Sequence, residues 1–242
     1  MFRYLIFGGI KQLGIIEAKQ DTISICWKEN IQDIIRSISC NSENNIVSIG
    51  CGVTGVHIYV FDIDKKLMIR KSKEIAKMIH ANQIVSNNEI MASTSLGSIY
   101  TLLHDNEITT CNSSFYIGET ILQLSKAKMT YNFEECEFNS IIIATTIMGS
   151  IFGMIPVSER DYNILEMIQN EMLKHPESSL LLGNEHHLYR SEEMKALNVI
   201  DGELLQIYFT LSSQSKNDIC NAIQMDIQST SKLIRKITSK LQ

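Results

Sequence analysis

Short runs mixing apolar and small polar residues fill the chain up to Val157, and a helical period takes over beyond it. Thr22–Trp27, Ile46–Gly50, Val56–Phe61, Ile99–Leu103, Thr120–Leu124, Ser140–Thr145 and Ser150–Ile155 are rich in Ile, Val, Thr and aromatic residues. Turn residues such as Asn44-Asn45, Asp62–Lys65 and Asp105-Asn106 punctuate them. Such side chains suit a pleated, half-buried surface, so the runs predict strands. Alternation places Val56, Ile58 and Val60 on one face and Tyr59 and Phe61 on the other, and Gln123, between Leu122 and Leu124, predicts one wet face. After Val157, Ser158 predicts a helix cap, with Asp161 near the positive end of the dipole. Leu165, Ile168 and Met172, widened by Ile164, form the apolar stripe, and His175-Pro176 ends the helix. Asp201 predicts the cap of a second helix over 202–209. Ser212 or Ser213 predicts a third, with Ile219, Ala222 and Ile223 inward. Ser229 or Thr230 predicts a fourth, with Leu233, Ile234, Ile237 and Leu241 on one side.

The strand runs repeat. Asn45–Phe61, Glu89–Leu103 and Ser140–Ile155 each hold a strand, a short break ending in Gly, and a second strand. Two copies share Gly-Ser-Ile-aromatic, at Gly97–Tyr100 and Gly149–Phe152, and Tyr4–Phe7 with Gly14–Glu17 reads as a weaker first copy. The aligned glycines Gly14, Gly55, Gly97 and Gly149 stand 41, 42 and 52 residues apart. A strand-rich period of about 40–50 residues is that of a β-propeller blade. The expected fold is mainly β with an α-helical C-terminal domain: a partial β-propeller of three to four blades over 1–157, then a small helical bundle over 158–242. With only two Pro and no low-complexity linker, the parts are expected to pack. Three to four blades do not close a ring of seven. Tyr4–Phe7 is then a poorly protected edge, and the chain alone is expected to self-associate.

A hydrophobic fraction of 44% with 20% charged residues supports a packed core, and a net charge of −5 argues against a broad phosphate-binding surface. The N-terminal MFRYLIFGGIKQLG is too short and Gly-interrupted for a signal or a membrane span. The six Cys, at 26, 40, 51, 111, 136 and 220, form no CxxC and read as buried reduced thiols.

Catalytic constellations are wanting. Gly50–Gly55 spells G-x-G-x-x-G, the pattern of a nucleotide-dependent enzyme, yet the run after it is strand-like, so a tight turn is expected instead of a dinucleotide site. Glu185-His186-His187 lacks a third ligand and reads as a surface or hydrogen-bonded pair. Ser150 is second, not third, in Gly149–Gly153, which removes the nucleophile-elbow reading. Glu134-Glu135 and Glu192-Glu193 lie in polar stretches. Lys232, Arg235, Lys236 and Lys240 make the last helix basic, which complements its dipole. No catalytic residue, cofactor or metal is predicted, and the chain is expected not to be an enzyme.

Residues 144–211 are more specific. The stretch ATTIMGSIFGMIPVSERDYNILEMIQNEMLK, then GNEHHLYRS, then NVIDGELLQIYFTL resembles the C-terminal region shared by three large scaffolds. These are damage-specific DNA-binding protein subunit one, the large subunit of cleavage and polyadenylation specificity factor, and the large scaffold of splicing factor three b. The signature is Asn198, Val199, Ile200, Asp201, Gly202, Glu203 and Leu204, supported by His186/His187, Arg190-Ser191 and Gly149–Leu165. Ser72–Ala76 and Phe115–Leu124 resemble the family more loosely. The resemblance implies three propellers and a helical domain, of which this chain would hold the last blades and the tail. It also implies a non-enzymatic nuclear scaffold, also cytoplasmic, with protein partners in a multi-subunit complex, and nucleic acid touched directly or through them. Tyr162–Leu165, Gln169-Asn170 and the final helix lean towards the adaptor of a cullin-RING ubiquitin ligase acting in DNA repair. Phe115–Leu124 and Asn198–Leu204 lean towards the splicing and 3′-end-processing scaffolds. In this reading Leu204, Leu205 and Tyr208 dock on the propeller and Gly202 permits close packing.

Overall fold

The computed structural model describes residues 3–19, 22–71, 77–105, 108–128, 140–178, 186–192 and 196–238. Ser72–Ala76, Glu134-Glu135, Cys136, Glu185, Glu193, Lys240 and Leu241 lie outside the described residues. The chain divides into two compact units, Met1–Lys126 with Ile142–Phe152, and Ala127–Ile141 with Gly153–Gln242.

Strands β1 (Arg3–Ala18), β2 (Ile23–Asn41), β3 (Ile46–Cys51), β4 (Gly55–Asp62) and β5 (Leu67–Arg70) form one sheet in sequence order. A second sheet holds β6 (Ile79–Ile84), β7 (Glu89–Thr94), β8 (Ser98–Asp105) and β9 (Ile108–Tyr116). A third holds β10 (Ile121–Lys128), β11 (Ser140–Thr146) and β12 (Ile151–Met154). These successive meanders are the blades that the repeat predicts, and the chain is mainly β with a helical C-terminal region.

β4 is buried on both sides, because its two faces serve two cores. Tyr59 and Phe61 join Leu13, Ile15, Val47, Ile49 and Met68, whereas Val56 and Ile58 join Ile79, Ile90, Ala92 and Tyr100 of the next sheet. Polar stitches fix how these two sheets face each other. Asn82 Nδ2 donates to Ser48 Oγ at 2.6 Å, and the Ile84 N–H donates to Ser39 Oγ at 2.9 Å. The approach is close enough that a Cβ on Gly50 would meet Ser37 Oγ at 2.3 Å and Ile79 Cγ2 at 2.7 Å.

The first copy of the repeat differs from expectation. Residues 3–18 are one strand with no hairpin, and Gly14 pairs with Lys28 in mid-strand. Lys11 takes the left-handed conformation (φ 61°) at a register shift between Ile10 and Gln12, so a β-bulge replaces the expected turn. Gly14 serves packing, since a Cβ there would meet the Phe7 ring at 2.4 Å. β2 runs far beyond Thr22–Trp27, because its second half leaves β1 to pair with β3. In β10 Leu122 and Gln123 are both exposed, so solvent reaches both faces of the strand there instead of one.

The helical unit contains α1 (Glu159–Lys174), α2 (His186–Tyr189), α3 (Gly202–Ile207), α4 (Ser213–Ala222) and α5 (Ile227–Thr238). Ser158 Oγ accepts the Asp161 N–H at 3.1 Å, and His175 leaves the helical region with ψ 130° before Pro176. Ser212 caps α4. Leu165, Ile168 and Met172 pack with Leu204, Leu205, Tyr208, Ile219, Cys220, Ile223 and Ile234. Leu204, Leu205 and Tyr208 therefore build the core of the helical unit. Ala222 is exposed and Cys220 takes the inward position. α5 starts earlier than expected. Asp226 accepts the Ser229 N–H at 2.8 Å, and Thr230 is buried inside the helix with its hydroxyl on Asp226 O.

Candidate interaction surfaces

Gly50–Gly55 is the β3–β4 hairpin turn, with no helix behind it, and this removes the geometry a dinucleotide needs. The turn is held from outside. Asp33 on β2 accepts N–H bonds from Val53 (3.0 Å) and Thr54 (2.7 Å) and the Thr54 hydroxyl (2.8 Å) on one oxygen, and the Ile34 N–H on the other. Burial pushes the Asp33 carboxyl up, but these donors outweigh it and its pKa is lowered. Thr54 Oγ1 also bonds His57 Nε2 at 2.6 Å.

The β7–β8 and β11–β12 turns use one chemistry. Thr94 Oγ1 accepts the Ser98 N–H and Thr146 Oγ1 accepts the Ser150 N–H, across Gly97 (φ 101°) and Gly149 (φ 87°). Glu119 accepts the hydroxyls of Thr146 and Ser150. The two carboxylates, Asp33 and Glu119, reach the turns from preceding segments. The shared Thr-x-x-Gly-Ser is visible in the sequence; the acceptors have no local signal.

These turns share one rim of the β unit. The backbone N–H that opens each turn donates to a carbonyl earlier in the chain, in β2 for the first turn and just before the sheet for the other two: Gly52 to Ile34 O, Ser95 to Met78 O, and Ile147 to Thr120 O, all within 2.9–3.0 Å. Thr120 Oγ1 donates to Ser95 O at 2.6 Å, and Arg36 Nη1 donates to Ser95 Oγ at 3.2 Å, so the three turns are tied in series. Six apolar side chains stand out along this line: Ile34, Val53, Met78, Leu96, Ile147 and Met148, exposed by 49%, 71%, 51%, 60%, 63% and 76%. Single exposed apolar residues are ordinary, whereas a set at equivalent positions of successive blades is a candidate docking surface.

The signature residues sit in the helical unit. Asn198 is left-handed (φ 51°) and exposed; Val199 and Ile200 are half-buried. Asp201 is buried and caps α3, with Oδ1 accepting the N–H groups of Glu203 (2.9 Å) and Leu204 (3.3 Å). Its Oδ2 accepts Arg190 Nε at 2.7 Å and bonds His186 Nε2 at 2.8 Å. The Asp201 N–H donates to Gln169 Oε1 on α1. Arg190 reaches Glu203 through Nη2 and stacks on Tyr189. Burial raises the Asp201 carboxyl, but His186 and Arg190 outweigh it and hold its pKa at about 2. Gly202 has open space where a Cβ would stand, so close packing does not explain it. Leu204 belongs to the core. The group orders a segment; the described residues hold no cluster of His, Cys, Asp and Glu suited to a metal ion. His186 is thus a buried, bonded side chain, and His187 is exposed.

The last helix spends part of its charge locally. Lys236 pairs with Asp161 at 3.2 Å, and Arg235 lies over the Phe209 ring.

Comparison with known proteins agrees with the resemblance. Residues 104–210 match the family model described as the CPSF A subunit region. The probable splicing factor 3B subunit 3 of Dictyostelium discoideum is 29% identical over 130 residues, 52% of this chain and 9% of that protein. Splicing factor 3B subunit 3 of Drosophila melanogaster is 30% identical over 107 residues, 44% of this chain and 8% of its own length. DNA damage-binding protein 1 of Oryza sativa subsp. japonica is 20% identical over 229 residues, 82% of this chain and 21% of that protein. The chain thus spans a small part of the curated relatives it matches.

Proposed function

We propose, from the premise that residues 104–210 carry a CPSF A subunit region, that this chain is a non-enzymatic scaffold of a nuclear pre-mRNA-processing complex, akin to splicing factor 3B subunit 3. The observation that carries this reading is the 29–30% identity to two splicing factor 3B subunits over 130 and 107 residues. The lean of Tyr162–Leu165, Gln169-Asn170 and the final helix towards the DNA-damage adaptor finds a weaker likeness, of 20%, and the balance moves to the splicing alternative. That likeness does extend over 82% of the chain, which keeps the ubiquitin-ligase adaptor as the second reading.

In this proposal residues 1–157 are blades and 158–242 a helical domain. Asn198–Leu204 acts structurally, and partners dock on the rim of Val53, Leu96, Ile147 and Met148. Affinity purification of the tagged chain from its source cells is the test. Recovery of splicing or 3′-end-processing subunits, reduced in a Leu96→Asp/Met148→Asp variant that remains folded, supports the reading. Recovery of cullin-RING subunits instead would replace it by the adaptor.

A further inference from the structure

We propose that Arg36 makes this rim selective for a protein segment that presents a carboxylate between apolar side chains. The inference rests on the rim being the docking surface. Arg36 sits at a register shift of β2 between Ile35 and Ser37, and this bulge turns its side chain out of the ladder. It is exposed, and its Nη1 is held at 3.2 Å by a neutral hydroxyl, Ser95 Oγ. Among the described residues no carboxylate forms an ion pair with it.

The acids and the other cation of the rim are already engaged. Asp33 is 4% exposed and accepts three donors from the β3–β4 turn and the N–H of its neighbour Ile34. Glu119 is committed to Thr146 and Ser150. Lys77 lies over the Tyr100 ring and donates to its hydroxyl at 2.8 Å. The guanidinium is therefore the outward cation of this rim among the described residues, and Ile34 precedes it by two residues while Leu96 follows its partner Ser95. A segment seated on the apolar side chains would remove water from the guanidinium. A carboxylate opposite it forms a charge-assisted, bidentate pair, whereas an apolar or basic group leaves the charge desolvated and unpaired. Specificity arises from that penalty as much as from the pair.

Selection of a displayed library of unmodified linear peptides on the full 242-residue chain tests this. The same selection is run on Arg36→Glu and on Leu96→Asp/Met148→Asp, each checked against the parent for its urea midpoint. The expected result is enrichment of Asp or Glu flanked by aliphatic residues on the parent, loss of those peptides on the double variant, and a switch to Lys or Arg on Arg36→Glu. A synthetic copy of an enriched peptide should bind Arg36→Glu at least about tenfold more weakly, a loss of roughly 1.4 kcal/mol. Peptides that need Leu96 and Met148 but show no acidic preference, or bind Arg36→Glu equally well, overturn the role of Arg36 and leave the rim standing. If no enriched peptide depends on Leu96 and Met148, the docking surface itself falls, and this proposal with it.

Discussion

Arg190 Nε lies 2.7 Å from Asp201 Oδ2, and the two side chains are only 5% and 4% exposed. The same carboxylate terminates α3, so one acid both caps a helix and neutralises a buried guanidinium. Losing a cap alone costs about 1 kcal/mol, and removing one partner of a buried ion pair adds to this, up to about 3–5 kcal/mol where the remaining charge has no other partner. Arg190 keeps Glu203, so Asp201→Ala should destabilise the helical unit by about 2–3 kcal/mol. Asp201→Asn, which keeps the acceptor for Glu203 and Leu204, should cost less. Urea unfolding followed by far-UV circular dichroism distinguishes them: equal losses would show that the cap adds nothing beyond the charge, and an Asp201→Asn variant as stable as the parent would show that the charge is irrelevant.

Acid should release the same contact. The Asp201 pKa is lowered from 3.8 to about 2 in the folded chain. A depressed folded pKa means that its contribution is complete above the unfolded value and is lost as pH falls through the folded one. That contribution is about 2 kcal/mol, and it should disappear between about pH 4 and pH 2. Comparing acid titrations of the parent and Asp201→Asn tests this, since the variant lacks the transition in that window.

Gly97 and Gly149 occupy equivalent turns and share positive φ, yet their surroundings differ. A Cβ on Gly97 would meet the Glu119 backbone at 2.7–2.8 Å, and one on Gly149 would meet nothing. Gly149→Ala should cost about 1 kcal/mol, the left-handed penalty alone. Gly97→Ala should cost on the order of 3 kcal/mol, because backbone must move. Urea midpoints of the two variants give the comparison.

The thiols are not uniformly buried. Cys51 and Cys220 are buried and Cys40 is exposed, which corrects the expectation of six buried thiols. Cys40 should react with a maleimide in the native state much faster than Cys51 and Cys220, as mass spectrometry of the labelled chain can show. Slow labelling of Cys40 would place its strand edge under cover.

The hairpin of β1 and β2 leaves Leu5, Ile10, Ile23 and Ile25 exposed by 60%, 77%, 78% and 60%. Apolar strands with an open face favour association. Light scattering on the chain should find oligomers that Ile10→Lys/Ile25→Lys reduces. A monodisperse parent would show that this face is harmless.

The elements with strong local signals were legible in the sequence. Ser158, Asp201 and Ser212 announce helix starts because a cap is a contact between residues two or three apart. Leu165, Ile168 and Met172 announce their stripe through helical spacing, and the strands beside Gly55, Gly97 and Gly149 through a tight turn repeated with one chemistry. Asp201 was visible as a cap, and the signature pointed to its importance. The pairing of Asp201 with His186 and Arg190 was not visible, since those side chains stand 15 and 11 residues before it. Nor was the end of the repeat at Gly14, where the same residue type serves packing against Phe7 instead of a turn. The rim was hidden for the same reason. Val53, Leu96 and Met148 look like ordinary apolar residues until the blades align their turns, and Asp33, Arg36 and Glu119 lie some 20–60 residues from certain of their partners. Sequence specifies what neighbours along the chain do to one another. Only stacking of the sheets decides which distant side chains share a surface, because that depends on how whole faces bury one another.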